Sequence, residues 1–528
     1  MSRPPASSCQ RRWRRAGLLP WALLSSACRI GDLDVPIGKD VPTQYYVSPD
    51  GNDENPGTQK QPWLTLSHAI GQLRPGHTLL LADGEYRLQT TGLLDIDCTT
   101  AAREGRPDAP ITVRAEHERR AMLRGDGSSS PLRLAGCSHW AVEGLVLQSA
   151  QDSDVPQGVD VGTVAMIQGG TELTLRRSIL MSPNPQRHSH VLRVLEATHV
   201  LVEECEAYDF FHNAFEAVRT EGVTFRRNYL HSRNAVSSGN VVGTDNPTRG
   251  EIAIQVEESS SSLLENNVAE VVGTGFSVVG RPGGSPYTEP TPYPVSGARL
   301  FGNVVRDALG PGFKIESRCD AALPCQQPER IVTDTLVVNG VVLQAARGVW
   351  VDAGPGTRVD NFTAVDVVNG LHILRSAPNA NLQFAASAAR SLVRSYSGVA
   401  FWLEAADDWS FDHCAAQQPS VEAVPFSPAD GNVLSPIELS SQDSCVVYLP
   451  PESPLRGAAG VEGDVGANVI RRYRDGALTA EPLWDPATGA FPCGAIVPGI
   501  NDDPAQSCSG VHERLRVGSE GCPLPTPL

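Results

Sequence analysis

Residues 298–317 read ARLFGNVVRDALGPGFKIES, and this order of short β-rich stretches recurs along much of the chain. Apolar and polar residues alternate at a period of two, which is typical of β-strands. Residues 199–218, 263–280 and 358–375 repeat the same order. Repeats of about 20 to 40 residues with loops of unequal length indicate a solenoid. With three strands per repeat, the sequence predicts an all-β protein, a right-handed parallel β-helix whose inward apolar residues form one continuous core.

The last strand of each repeat sets the register between successive coils. Because side chains alternate across a strand, the middle residue of each three-residue stretch points outward. Neighbouring residues in such a column lie about 4.8 Å apart. The predicted column contains Arg193, Glu216, Gln255, Ser277, Lys314, Trp350 and His372. The outward positions two residues further on give a second column of Val218, Glu257, Val279, Glu316, Asp352 and Leu374.

The N-terminus resembles an export signal. Four arginines precede an apolar run at residues 16–24, and small residues follow just before Cys28. Residues 1–27 are therefore predicted to be a signal peptide, and the protein to be secreted or held at the bacterial cell surface or in the periplasm through a lipidated Cys28. Both destinations stay open, because the run Leu-Ser-Ser-Ala-Cys matches a lipoprotein signal only in part.

Three further segments follow the signal. Residues 28–43 are predicted to be a linker, and residues 44–424 the β-helix, with a short capping helix at about residues 66–73. Residues 425–528 are rich in Pro and Gly, which predicts an irregular tail, wrapped along the exterior of the β-helix.

The charge of the chain excludes one class of partner. The net charge is −17, whereas nucleic-acid binding needs clustered cations. The lysines are Lys39, Lys60 and Lys314, so 40 of the 43 Lys and Arg residues are arginine. Lys314 is thus the lone lysine of the predicted solenoid, which draws attention to its position.

The cysteines suggest disulfide bonds. Of the 12 cysteines, ten follow Cys28, and an even number in an exported chain is typical of disulfide pairing. Cys319 and Cys325 share one loop and are the pair that the spacing favours. Cys205 is predicted to be a buried thiol.

Lys314 has the side chain that proton abstraction next to a carboxylate requires. A lysine can act as a base when burial or nearby cations such as Arg318 depress its pKa, whereas an arginine cannot. Glu316 and Asp352 would lie about 5 Å apart on adjacent coils. They could hold a calcium ion or form an acid–base pair for glycoside hydrolysis. Alternatively, Lys314 forms an ion pair with one of them on a solvated face, or binds a substrate carboxylate.

The other candidate residues stand near the same column. Trp350 and Trp402 could stack against sugars, or be covered by the tail. His372 is a candidate general acid. Arg193 and Arg219, together with Arg318, are predicted to bind substrate carboxylates, although a solvated structural role is open for the first two.

Residues 45–88, which begin YYVSPDGNDENPGTQKQPWLTLSHAI and end PGHTLLLADGEYRL, carry a more specific signal. This segment closely resembles the opening of bacterial right-handed β-helix proteins of the pectate-lyase-like superfamily, in the form found in polysaccharide lyase family nine. The resemblance implies the parallel β-helix fold. It also implies an activity, which is an expectation and not a consequence of the fold, since one fold serves many functions.

In that family, the implied reaction is β-elimination on a uronic-acid polymer. Calcium neutralises the carboxylate, a lysine takes the C5 proton, and the glycosidic oxygen leaves. The lysine lies in a strand similar to Asn-Gly-Phe-Lys-Leu, and residues 312–315, Gly-Phe-Lys-Ile, match it here. The family's calcium-binding aspartates lie on the preceding coil, where residues 273–277 of this chain read Gly-Thr-Gly-Phe-Ser and supply no carboxylate.

The sequence therefore predicts a monomeric, exported polysaccharide lyase that cleaves an acidic polysaccharide, with calcium as its expected cofactor. The alternative is a non-catalytic cell-surface β-helix protein that binds glycan or serves a structural role. What covers Lys314 separates the two. An open cleft favours the enzyme, and a roof formed by the tail or by residues 281–297 favours binding or structure.

Overall fold

The computed structural model describes most of the chain beyond the N-terminal segments. The described residues are 44–100, 103–150, 163–182, 190–210, 212–232, 251–282, 293–318, 328–374, 386–403, 409–416, 430–434, 449 and 453–483. The predicted signal peptide, the linker with Cys28, and the loop with Cys319 and Cys325 lie outside them.

The strands stack in parallel along three faces, as the repeats predict. The first face is a sheet of 13 strands: Gln44–Val47, Thr78–Leu81, Ile111–Ala115, Ser138–Glu143, Thr171–Arg176, Thr198–Glu203, Thr224–Arg226, Leu263–Glu265, Arg299–Phe301, Leu336–Val338, Thr357–Asp360, Ala386–Ala389 and Trp409–Asp412. The second face contains Gly84–Arg87, Ala121–Arg124, Val146–Gln148, Ile179–Met181, Glu206–Tyr208, Tyr229–His231, Val268–Val272, Leu392–Tyr396, Ala415–Ala416 and Val433–Leu434. The third face contains Leu94–Asp97, Leu132–Ala135, Ala165–Gln168, Leu192–Leu195, Asn213–Val218, Ile252–Glu257, Thr274–Gly280 and Phe401–Leu403.

Three long strands belong to both the second and the third face. They are Val304–Ser317, Val341–Asp352 and Thr363–Leu374, and each runs around the corner between the two faces. Two small pairs complete the strands: Val295–Ser296 with Val332–Thr333, and the antiparallel hairpin Arg471–Arg474 with Ala477–Pro482. Short 3-10 turns occupy Pro328–Arg330 and Gly460–Glu462. The parallel β-helix is confirmed.

The predicted capping helix is confirmed at Leu66–Gln72. Thr65 caps its first turn, because the hydroxyl of Thr65 accepts a hydrogen bond from the backbone N–H of His68. Asp53 holds the entry to the helix by accepting hydrogen bonds from the backbone N–H groups of Leu64 and Thr65, at 3.0 and 2.8 Å. The helix buries Leu66, Ala69 and Ile70 against the first coils, which closes this end of the apolar core.

Asparagines stack inside the turn between the first and second faces. The side chain of Asn267 accepts from the backbone N–H of Asn228 at 3.0 Å and donates to the carbonyl of Phe225 at 2.9 Å. Asn303 repeats the arrangement one coil later, with its Oδ1 accepting from the backbone of Asn267 at 2.9 Å. Cys205 occupies the same position one coil before Asn228. These side chains satisfy backbone groups that the turn would otherwise bury without partners.

The cysteines agree in part with the sequence. Cys98 and Cys137, on consecutive coils, form a disulfide that the spacing did not predict. Cys205 is a buried free thiol as predicted, and Cys414 is another. Burial raises the pKa of each of these two thiols to about 12, so both are chemically inert parts of the core.

The described part of the tail lies against the second face and against Phe301 of the first face. Ala467, Val469 and Leu483 pack on the outward apolar residues of that face, which include Val268 and Val304. The ring of Tyr473 stacks on Phe301, with 5.2 Å between ring centroids. Within the ranges given above, no helix is long and apolar enough to cross a membrane.

Candidate functional site

The outward column of the third face has the register that the sequence predicts. Backbone pairing places Arg193 beside Glu216, then Gln255, Ser277, Lys314, Trp350 and His372 in turn, and Trp402 extends the column by one coil. The second outward column is also confirmed, with Glu316 beside Asp352. We call the first set the Lys314 column.

Small residues at the preceding corner position the column. A Cβ atom added at Gly312 would lie 2.2 Å from a methyl carbon of Val342, and one added at Gly348 would lie 2.6 Å from the carbonyl oxygen of Gly370. A residue with a side chain therefore does not fit these corners unless the Val342 side chain, at Gly312, or the Gly370 backbone, at Gly348, is displaced. The tight corner fixes the strand that follows, and with it the outward direction of Lys314 and Trp350.

Lys314 lies in a crowded part of the third face. Its ammonium nitrogen is 2.9 Å from Oε2 of Glu316 and 4.8 Å from the ring centroid of Trp350. The side chains of Lys314 and Glu316 are 12% and 13% exposed. The predicted ion pair is thus present, but the face around it is shielded from solvent rather than solvated, so the charges interact more strongly than a surface pair would.

The surroundings of Lys314 favour its neutral form. Burial lowers the pKa of Lys314, and the positive charge of Arg318 lowers it further, while Glu316 opposes both effects. For Glu316, burial acts to raise the pKa, but Lys314 and Arg318 outweigh burial and lower the pKa of this carboxyl group. Glu316 is therefore ionised at neutral pH, which makes it a poor general acid.

The predicted calcium ligands, Glu316 and Asp352, lie side by side on adjacent coils, and calcium binding by them stays a prediction. Oε2 of Glu316 lies 2.9 Å from Nζ of Lys314 and accepts a hydrogen bond of 2.5 Å from Nε of Arg318. Two cationic side chains therefore contact one of the two oxygens of Glu316, and Asp352 is buried beside this residue. In the part of the chain that the structure describes, no group of three or more His, Cys, Asp or Glu residues is arranged to hold a metal ion.

The aromatic residues of the column stack along its axis. The rings of His372 and Trp402 are parallel, with 4.1 Å between their centroids. Nδ1 of His372 accepts a hydrogen bond from Nε of Arg347 at 3.0 Å, so this nitrogen carries no proton. His372 is buried. One ring face of Trp402 is used by His372, which leaves less of it for the predicted sugar stacking.

The N-terminal end of the column is acidic and buried. Glu216 accepts a hydrogen bond from Nε of Arg193 at 2.7 Å and one from the side chain of Asn213 at 3.1 Å, and His190 lies 3.3 Å away. Burial raises the pKa of Glu216, although Arg193 opposes this. Arg193 is thus already engaged with a carboxylate of the protein, as is Arg281, which binds Glu257 through two hydrogen bonds of 2.5 and 3.0 Å.

Arg219 lies in a corner rather than on the column. It is buried, and its Nε donates to Oε2 of Glu258 at 3.2 Å. Arg330 binds the other oxygen of the same carboxylate at 2.7 Å. These contacts support a structural role for Arg219, and its predicted role in substrate binding stays a prediction.

The described tail does not cover the Lys314 column. Its contacts are with the second face, through Ala467 and neighbouring residues, and with Phe301 of the first face, through Tyr473. Residues 283–292 of the other candidate roof, and the rest of the tail, lie outside the described residues.

Sequence reasoning missed two sets of residues. Arg347 reaches the column from a corner, where the period-two alternation does not determine side-chain direction. Glu258 and Arg219 have positive φ values of 47° and 55° at another corner, so their mutual contact was also not predictable from alternation. A glycine two positions before four of the outward residues was the available signal that the corners are close to the column: Gly275, Gly312, Gly348 and Gly370.

Comparison with known proteins supports the fold. Residues 45–226 match the family model described as "Pel9A-like, right handed beta helix region". The "Uncharacterized protein YwoF" of Bacillus subtilis (strain 168) is 28% identical over 109 residues, which cover 20% of this chain and about a fifth, 21%, of that protein.

Two solved structures are similar over most of the chain. The "Crystal structure of pectate lyase Pel9A" covers 80% of this chain and 95% of its own, with a TM-score of 0.46 and 14% identity. "The complex structure of XylC with xylose" covers 74% of this chain and 86% of its own, with a TM-score of 0.50 and 10% identity. For XylC, an identity of 10% at a TM-score of 0.50 shows shared architecture alone. The chain is therefore a right-handed parallel β-helix protein, and its residues 45–226 match the Pel9A-like β-helix region.

Proposed function

We propose that the protein is a polysaccharide lyase that cleaves a uronic-acid polymer by β-elimination, with Lys314 as the base. The observation that carries the proposal is the environment of Lys314, where burial and Arg318 lower the pKa of an amine that lies on the outer side of the column. The likeness to the Pel9A-like region supports a polysaccharide as the substrate class.

The reaction needs few groups. The neutral amine of Lys314 takes the proton from C5 of the uronate, the bond between C4 and the glycosidic oxygen breaks, and a C4–C5 double bond forms. The leaving oxygen takes up a proton from water. Glu316 then holds the ammonium form of Lys314 until it loses the proton to solvent, since the two groups are 2.9 Å apart.

The remaining predicted residues have supporting roles in this proposal. Trp350 and Trp402 lie next to Lys314 and His372 in the column and would contact the sugar rings. Arg318 is partly exposed and would approach the substrate while lowering the pKa of Lys314. Export through residues 1–27, by secretion or by lipidation of Cys28, would bring the protein to polymers outside the cytoplasm.

A non-catalytic glycan-binding protein is the second candidate. The ion pair between Lys314 and Glu316 favours it, because a lysine that only pairs with a carboxylate needs no reaction. The two candidates differ in turnover, which one assay detects.

The experiment is an assay for unsaturated product with pectate, alginate and other polyuronates, each with added calcium and with a chelator. We expect the native protein to form product from at least one polymer, and Lys314→Ala to be at least about 100-fold slower, as is usual for removal of a general base. Product formation by Lys314→Ala at the native rate would reject the assignment. Loss of product in chelator would show that a metal ion takes part after all.

A further inference from the structure

The cations near the Lys314 column differ in their partners. Most of them bind a carboxylate of the protein: Arg193 binds Glu216, Arg281 binds Glu257, and both Lys314 and Arg318 bind Glu316. Arg347 is the exception. Among the residues that the structure describes, no carboxylate forms an ion pair with it. Its side chain contacts His372 and Trp350 instead.

These contacts leave part of the Arg347 guanidinium available. Its Nε donates to Nδ1 of His372 at 3.0 Å, which fixes the plane of the group and leaves Nη1 and Nη2 without an acceptor in the described structure. A guanidinium binds a carboxylate through two parallel hydrogen bonds, and it stays charged at any physiological pH. The partly buried, fixed group at residue 347 is thus built to bind an anion with matching geometry.

Arg347 and Lys314 share one aromatic ring. The guanidinium carbon of Arg347 lies 5.6 Å from the ring centroid of Trp350, and Nζ of Lys314 lies 4.8 Å from it. In addition, the indole nitrogen of Trp350 is buried and has no acceptor among the described residues. Buried donors of this kind are usually paired, and an oxygen of a bound sugar would pair this one.

We propose that Arg347 binds the carboxylate of an acidic sugar whose adjacent carbon faces Lys314. The inference rests on the proposed function and deepens it, because it names the group that neutralises the substrate. In a uronate, the C5 proton is on the carbon next to the carboxylate, so the base and the partner of the carboxylate have to be close together. Arg347 meets this requirement, whereas Oε2 of Glu316 is held by both Lys314 and Arg318.

The test measures binding without cleavage. In a Lys314→Ala background, affinities for trigalacturonate, trimannuronate and the methyl ester of trigalacturonate are measured by calorimetry at fixed ionic strength. Arg347→Gln is compared with Arg358→Gln, which changes an exposed arginine on the first face. Arg347→Lys serves as a second variant that keeps the charge, and thermal unfolding confirms that each variant is folded.

We expect Arg347→Gln to weaken binding of a free uronate trimer by about 10- to 100-fold, the usual effect of losing hydrogen bonds between charged groups. The affinity of Arg347→Lys for the free trimer should lie between those of the parent and Arg347→Gln. Arg358→Gln should bind the free trimer as the parent does, and Arg347→Gln should bind the methyl ester as the parent does. Equal affinity of Arg347→Gln and its parent, an equal loss for acid and ester, or failure of the parent to bind either uronate would overturn the inference. If binding depends on Arg347 but the native protein forms no unsaturated product, the inference stands and the lyase proposal fails.

Discussion

At the level of single residues, the charge state of Lys314 depends on two charged neighbours, Arg318 and Glu316. Burial of Lys314 disfavours its charged form, and Arg318 adds to this effect, while Glu316 favours the charge. Because the two side-chain pairs use one oxygen of Glu316, a change in either neighbour alters the balance at Lys314. A base that must be neutral responds to such changes in its pH dependence.

Two substitutions should move the pH dependence in opposite directions. Activity that needs neutral Lys314 rises with pH as the amine loses its proton. Glu316→Gln removes the effect that raises the pKa of Lys314, so the rising limb of the pH–rate profile should move to lower pH. Arg318→Gln removes an effect that lowers this pKa, so the limb should move to higher pH. Rates of product formation across pH check both.

A limb that stays in place in both variants would show that another group titrates. A shift of both variants in the same direction would indicate a general loss of structure, and thermal unfolding of the two proteins separates that case.

The sequence predicts the column well, because the alternation of a strand determines which residues point outward. It thus brings Lys314, Trp350 and His372 together correctly. It does not predict what a corner residue contacts, because φ and ψ there depart from the strand values. Arg347 and the pair of Arg219 with Glu258 were missed for this reason.

At the scale of the element, the corner glycines connect the core to the column. Gly-Pro-Gly at residues 310–312 is typical of a turn, yet it lies inside the strand Val304–Ser317. The strand continues because each coil pairs with the coils before and after it. Local turn preference is therefore overridden by pairing, which a single repeat does not reveal.

Replacing a corner glycine should destabilise the fold. The added methyl of Gly348→Ala would lie 2.6 Å from the carbonyl oxygen of Gly370 and 3.1 Å from Cβ of Ala364. We expect a loss of about 1 to 3 kcal/mol in the free energy of unfolding, as for other overpacked sites. Urea denaturation measures the change.

The control is Gly71→Ala in the capping helix, where an added Cβ meets nothing within 4 Å. That change should be neutral or stabilise the protein by up to about 1 kcal/mol. If Gly348→Ala matched this control, the corner would not be as tightly packed as the structure indicates.

At the scale of the whole molecule, the tail and the column occupy different faces. The tail segment at residues 453–483 covers apolar residues of the second face, and an antiparallel hairpin within it departs from the irregular structure that its composition predicts. The described part of the tail thus stabilises the stacked coils, and the third face carries the candidate site.

Loosening the tail should reduce stability without altering the column. Tyr473 stacks on Phe301 and its hydroxyl lies 2.5 Å from the side chain of Asn339. Tyr473→Ala should cost about 3 kcal/mol, as for other buried aromatic residues, and should speed proteolysis within residues 453–483. The control is Leu478→Ala, which changes an exposed residue of the same hairpin. Equal proteolysis of the two variants would contradict this arrangement.

Because the net charge of the chain is −17, binding of an acidic polymer would depend on the local positive charge at the candidate site. An acidic protein that acts on an acidic polymer needs cations that its own carboxylates do not fully neutralise. Among Lys314, Arg193 and Arg318, Lys314 is the cation that can also act as a base, because burial and Arg318 lower its pKa whereas an arginine stays charged.

The role of Lys314 as the base is tested by the rate of unsaturated product formation by Lys314→Arg. Arginine keeps the positive charge and can keep the ion pair with Glu316, but it cannot become neutral and act as a base. We predict a rate at least about 100-fold below that of the native protein, with unchanged thermal unfolding and substrate binding. A native rate in Lys314→Arg would show that residue 314 acts only as a cation, and would contradict the account.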